Sequence, residues 1–173
     1  MPDASARLSR PWSRRFGTVD RGVRLAVDVG TVRIGVAASD PDGVLAFPVT
    51  TVQRGEGDVD QVVEIVHERS ATRVFVGLPR KLSGKDGDSA AMAHAFAADL
   101  AERCDAIVRL VDERFSTASA QHAMRQAGRS SRQQRQVIDQ AAAVVILESA
   151  LDIERQGNLD RVTYEPIPKG NDD

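Results

Sequence analysis

The chain has 173 residues, of which 42% are hydrophobic and 28% charged, and its formal net charge is −2. That length suits one domain with a sizeable core, and the near-neutral balance excludes a protein that coats nucleic acid through bulk charge, so any polyanion contact must come from local patches. The longest apolar helical run, 141–147, is far short of the roughly 18–20 residues that cross a bilayer. No apolar stretch follows the basic N-terminal residues as it would in a secretory signal. Cys104 is the only cysteine, so no internal disulfide can form, as suits a reducing cytosol. It reads as a small apolar residue near a helix end.

Residues 1–22 lack hydrophobic periodicity and are rich in Arg, Ser and Pro, which predicts a flexible extension. With Arg24, their arginines (Arg7, Arg10, Arg14, Arg15 and Arg21) make a first candidate basic patch. From Val23 the pattern alternates: Val23, Leu25, Val27 and Val29 share one side of a strand, with Arg24, Ala26 and Asp28 on the other. A Gly30-Thr31 turn leads to a second strand through Val32, Ile34 and Val36, and a Pro41-Asp42-Gly43 turn leads to a third over 44–52. Pro48 places that third strand at an edge or a bulge. Three strands joined by such short turns are mostly antiparallel. The period then becomes helical over 58–70, followed by a short strand at 73–77, an Ala-rich helix over 89–104, a strand at 106–111 and a helix over 116–127. The longest helix is predicted over 137–156. The domain therefore spans 23–157, and the tail 158–173 has a possible extra strand at 161–167. Three antiparallel strands followed by alternating helices and strands give an α/β fold, a mixed five-stranded sheet with helices on both faces. That order fits the ribonuclease H-like architecture.

Three acids stand out. Asp28 lies in the best apolar strand, where an unpaired carboxylate costs several kcal/mol. It reads either as a cap of the Gly30-Thr31 turn or as a metal ligand. Glu113 follows the strand ending at Val111, where open α/β sheets gather functional groups; the alternative is a solvated Glu113–Arg114 pair. Asp139 opens the last helix and shares a face with Ala142, Ala143 and Ile146, although a first-turn acid also complements the helix dipole. Brought together, the three would repel one another unless cations lay between them. Mg²⁺ and Mn²⁺ favour such oxygens. Two ions roughly 4 Å apart activate water and steady the leaving oxygen of a phosphodiester.

The segments LAVDVGTVRIGVA, VFVGLP, VDERFST and VIDQAAAVVILE, in this order across about residues 23–155, resemble the YqgF/RuvX family of ribonuclease H-like proteins. Its members are described as nucleases acting on the 5′ end of pre-16S ribosomal RNA and as Holliday junction resolvase-like proteins. The resemblance implies that Asp28, Glu113 and Asp139 hold divalent metal. The chain departs from the family at GLPRKLSGKDGDS, where Arg80, Lys81 and Ser83 replace apolar, amide and acidic residues, which bears on substrate choice.

Arg33, Arg80, Lys81 and Arg114 flank these motifs, and Arg125, Arg129, Arg132 and Arg135 form a basic run with no acid among them. All eight are candidate contacts to a nucleic-acid backbone, binding that would weaken with salt. With aromatics at 4%, base stacking is not expected to dominate. His67, His94 and His122 lie on predicted helices at no metal-ligand spacing and read as structural or surface residues. The leading expectation is a cytoplasmic, metal-dependent nuclease acting on pre-rRNA or branched DNA, as a homodimer if it makes the two cuts of junction resolution. Two other readings remain: a non-catalytic nucleic-acid or ribosome-assembly module, and an actin-like ATPase in which DVGT is a phosphate loop.

Overall fold

The computed structural model describes residues 21–80, 87–115 and 132–167. The strands are β1 (Val23–Val29), β2 (Arg33–Ser39), β3 (Ala46–Gln53), β4 (Ala71–Leu78), β5 (Ile107–Asp112) and β6 (Thr163–Tyr164). The helices are α1 (Asp58–Glu68), α2 (Asp88–Arg103), α3 (Arg132–Arg155) and the short α4 (Leu159–Val162), with a 3-10 turn at Glu113–Phe115. The predicted helix at 116–127 and the N-terminal extension up to residue 20 lie outside the described residues.

One six-stranded sheet runs in the order β3-β2-β1-β4-β5-β6. As the short turns require, β1–β2 and β2–β3 are antiparallel, whereas β4 lies parallel to β1 and β5 parallel to β4. This is the mixed α/β architecture expected, with one more strand than the core count of five. The sixth is a two-residue remnant of the predicted 161–167 strand, pairing with β5 at Leu110 and Val111. Residues 159–162 turn into α4 instead.

The two faces of the sheet carry different cores. Leu25, Val27, Ile34, Val36, Val74, Val76 and Leu110 pack under α1 and α2 through Val59, Val62, Val66, Phe96 and Leu100. On the other face, Ala26, Ala37, Phe75 and Val111 meet Ala143, Ile146, Leu147, Ala150 and Leu151 of α3. Small residues on β1 and β2 bring α3 close to the sheet, and each large apolar side chain buried there stabilises by about 1.5–3 kcal/mol. The face of α3 containing Ala142, Ala143 and Ile146 is buried as its periodicity predicts.

Two expectations change. Arg24 does not join an exposed basic patch: it is fully buried near the start of β1, against the end of α3. Its Nε donates to Glu154 Oε2 at 3.0 Å and its Nη1 donates to the Gly22 and Pro41 carbonyl oxygens. Arg73 donates to the other oxygen of Glu154, so the end of α3 is tied to β1 and β4 by one carboxylate. Alternation alone put Arg24 opposite the apolar side, but β1 is covered on both faces. Second, α3 begins at Arg132 rather than at 137. Arg and Gln are good helix formers, so the helix extends ahead of its first apolar residue.

Candidate active site

Asp28 stands near the end of β1, directly opposite Gly35 of β2. Gly35 lies against the backbone of α3: a Cβ built on it would stand 2.0 Å from the carbonyl oxygen of Asp139. Only glycine permits that approach. On the other side of β1, Val27 pairs with Val76, which sets Gly77 beside Asp28 on β4. A Cβ at Gly77 would lie 2.8 Å from Glu113 Oε1 and 2.6 Å from Ile146 Cδ1. Asp28 is therefore flanked by two glycines, one strand spacing of about 5 Å away on either side; one supports Asp139 and the other supports Glu113.

Strand parity explains why these side chains share a face. Ala26 and Asp28, Gly35 and Ala37, Phe75 and Gly77, and Val111 all point toward α3. Glu113, two residues beyond Val111, continues that parity into the 3-10 turn. Asp28 and Glu113 are 5% and 4% exposed, so this acidic centre is largely shielded from water. Asp139 lies beyond the first turn of α3, a turn that has no acid, so the helix dipole does not account for it. Its Oδ2 instead accepts a 2.7 Å hydrogen bond from Arg33 Nε, with the two side chains 13% and 16% exposed. Among the described residues, no three His, Cys, Asp or Glu side chains form a ready-made metal cage. With Arg33 on Asp139, a protein cation partly offsets the mutual repulsion of the acids.

The candidate phosphate-binding arginines divide. Arg33 is engaged by Asp139, and Arg114 is engaged by Asp112 through three side-chain hydrogen bonds of 2.7–3.1 Å. Arg80 Nη1 is 3.8 Å from Asp112 and its guanidinium covers the Tyr164 ring. Arg135 is exposed on the first turn of α3. Arg132 begins that helix. Lys81, Arg125 and Arg129 lie outside the described residues. His67 is exposed and His94 half-buried, while His122 also lies outside the described residues.

Asp112 was absent from the sequence candidates. It is fully buried and accepts the Arg114 backbone N–H at 2.9 Å as well as its guanidinium, closing the turn that presents Glu113. Strand parity is the signal that separates the neighbours: Asp112 points to the α2 face and Glu113 to the α3 face.

A protein of Mycobacteroides abscessus named "Putative pre-16S rRNA nuclease" is 52% identical over 162 residues, 90% of this chain and 95% of its own length. A protein of the same name from Thermobifida fusca is 51% identical over 146 residues, 80% of this chain and 92% of its own. Among solved structures, T. thermophilus RuvC in complex with a Holliday junction substrate superposes with a TM-score of 0.51 at 15% identity, covering 79% of this chain and 97% of that one. That likeness establishes the ribonuclease H-like fold. A family model described as RuvX, Holliday junction resolvase, matches residues 22–153, from the start of β1 almost to the end of α3 and across all three acids. By that match and by the identity of its relatives, the chain belongs to the RuvX family.

Proposed function

We propose that this protein is a metal-dependent nuclease that hydrolyses phosphodiester bonds at the centre formed by Asp28, Glu113 and Asp139. The observation that carries the proposal is the pair of glycines around Asp28. Each removes a Cβ at a point where the backbone of Asp139 or the carboxylate of Glu113 takes its place. A purely structural sheet gains nothing from assembling acids over two such gaps.

The donor set suits a hard divalent cation, since all three side chains offer only carboxylate oxygens. Asp28, Glu113 and Asp139 would hold Mg²⁺ or Mn²⁺, which supplies an activated water and charge stabilisation at the phosphate. The protein's own part is to exclude bulk water around Asp28 and Glu113 and to orient Asp139 through Arg33. Asp112 and Arg114 set the turn that carries Glu113. Arg135, exposed on the first turn of α3, and the basic run from 125 would track the sugar-phosphate backbone.

For the substrate we favour pre-16S rRNA, the substrate in the names of relatives that match most of this chain. That role is cytoplasmic. The family description favours a second substrate, the four-way DNA junction, which would call for a homodimer making paired cuts. The deciding experiment offers purified protein a pre-16S rRNA 5′ leader and a four-way junction, each with Mn²⁺ or Mg²⁺. Cleavage of the RNA is expected, and Asp28→Asn should lose it by at least about a hundredfold while keeping its circular dichroism spectrum. Full activity in that variant would refute the carboxylate centre, and product from the junction alone would reverse the substrate assignment.

A further inference from the structure

A cavity of about 700 Å³ opens at the sheet edge, lined by Arg80, His94, Arg109, Thr163, Tyr164 and Ile167, with Asp160 and Glu165 at its rim. It is distinct from the acidic centre. Arg80, in its wall, approaches Asp112, whose side chain faces α2 whereas that of Glu113 faces α3. The volume is within the range of small-ligand sites.

The chemistry of the lining is selective. Arg80 lies 5.1 Å from the Tyr164 ring centroid, so guanidinium and phenol form one stacked platform. Nδ1 of His94 is shielded from solvent and has no hydrogen-bond partner among the described residues. Arg109 is a strut: it donates to Thr163 Oγ1, Glu165 and Asp160 at 2.9, 3.3 and 3.1 Å. Those rim acids are thereby held by a cation and weigh less against an anionic ligand. Ile167 adds an exposed apolar lip. A flat aromatic platform beside a half-buried imidazole and a guanidinium matches a planar base joined to a phosphate.

We propose that this cavity is a nucleotide subsite, holding the base and phosphate of a nucleotide where the substrate strand passes the edge of the sheet. The assignment rests on the nuclease reading for its place in the reaction, but not for binding itself. The base stacks on the Arg80–Tyr164 platform.

Tyr164 is the only tyrosine in the chain, so labelling with 3-fluorotyrosine yields one ¹⁹F resonance at the subsite. Titration of the full chain with adenosine monophosphate, in EDTA, should shift that resonance saturably with a dissociation constant on the order of 1 mM. Inorganic phosphate should leave it in place. Arg80→Gln should weaken binding about tenfold. Asp28→Asn should bind as wild type, so failure of the subsite and failure of the carboxylate mechanism give different results. On a single-stranded oligonucleotide, Tyr164→Leu should raise KM about tenfold with little change in kcat. A resonance unmoved by about 20 mM nucleotide, or affinity unchanged in the Arg80 variant, overturns the proposal.

Discussion

Arg33 on β2 and Asp139 on α3, 106 residues apart, meet in a 2.7 Å charge-assisted hydrogen bond beside the strand that carries Asp28. The pair is mostly shielded from solvent, so its Coulombic attraction is screened less than that of a surface bridge. A divalent ion entering this centre must compete with the guanidinium for Asp139. Arg33→Gln should therefore tighten Mn²⁺ binding to the substrate-free protein by about tenfold, the scale of a lost charge-assisted bond. Isothermal titration with Mn²⁺ checks this, and weaker binding in the variant would count against the competition. Cleavage should fall at the same time, because Asp139 loses the group that orients it.

The contact of Gly35 with α3 leads to a second expectation. A methyl group there would meet a backbone carbonyl rather than a movable side-chain end. Gly35→Ala should cost about 1–3 kcal/mol by lifting the start of α3. Displacing Asp139 from Asp28 should reduce cleavage by about a hundredfold. Urea denaturation and single-turnover rates measure the two effects, and a variant with unchanged rates would show that the close approach does not serve the site.

Glu154 is 8% exposed and accepts from both Arg24 and Arg73. Removing it leaves the fully buried Arg24 without its carboxylate, so Glu154→Ala should destabilise by about 3–5 kcal/mol. The double replacement Arg24→Met with Glu154→Leu should cost less than Glu154→Ala alone, since no buried charge is then stranded. Chemical denaturation of the three proteins decides, and the reverse order would argue that the pair itself is strongly stabilising.

Asp40 organises the turn between β2 and β3. Its carboxylate accepts from the backbone N–H groups of Leu45, Val44 and Asp42 at 2.7, 2.8 and 3.2 Å. The Leu45 bond leads in holding its pKa below the ordinary value. A depressed folded pKa means the contribution is present above the unfolded value of about 3.9 and is lost as pH falls through the folded one. Asp40→Asn should therefore flatten the acid limb of the melting temperature below about pH 4. Scanning calorimetry across that range gives the comparison; identical acid limbs would exclude the effect.

Much of this was legible in the chain. The period-2 pattern of residues 23–36 and the short turns specify the antiparallel strands β1 and β2, and the helical period of 137–156 marks the buried stripe of α3. Glycine spacing was visible too, though not its purpose: nothing local distinguishes Gly35 and Gly77 from turn-forming glycines. Arg24 and Arg33 read as exposed cations because alternation records sidedness but not whether the second side is covered. Asp112 was missed because a buried acid and an exposed one look alike in sequence.

The order of elements, the apolar faces and the acidic residue types follow from local pattern, because periodicity encodes which side of a strand or helix avoids water. Which acids meet, and which cation each one meets, was decided only when α3 crossed the face of β1, β2 and β4. Contacts between residues more than a hundred positions apart depend on how those layers pack, and no stretch of chain contains that distance.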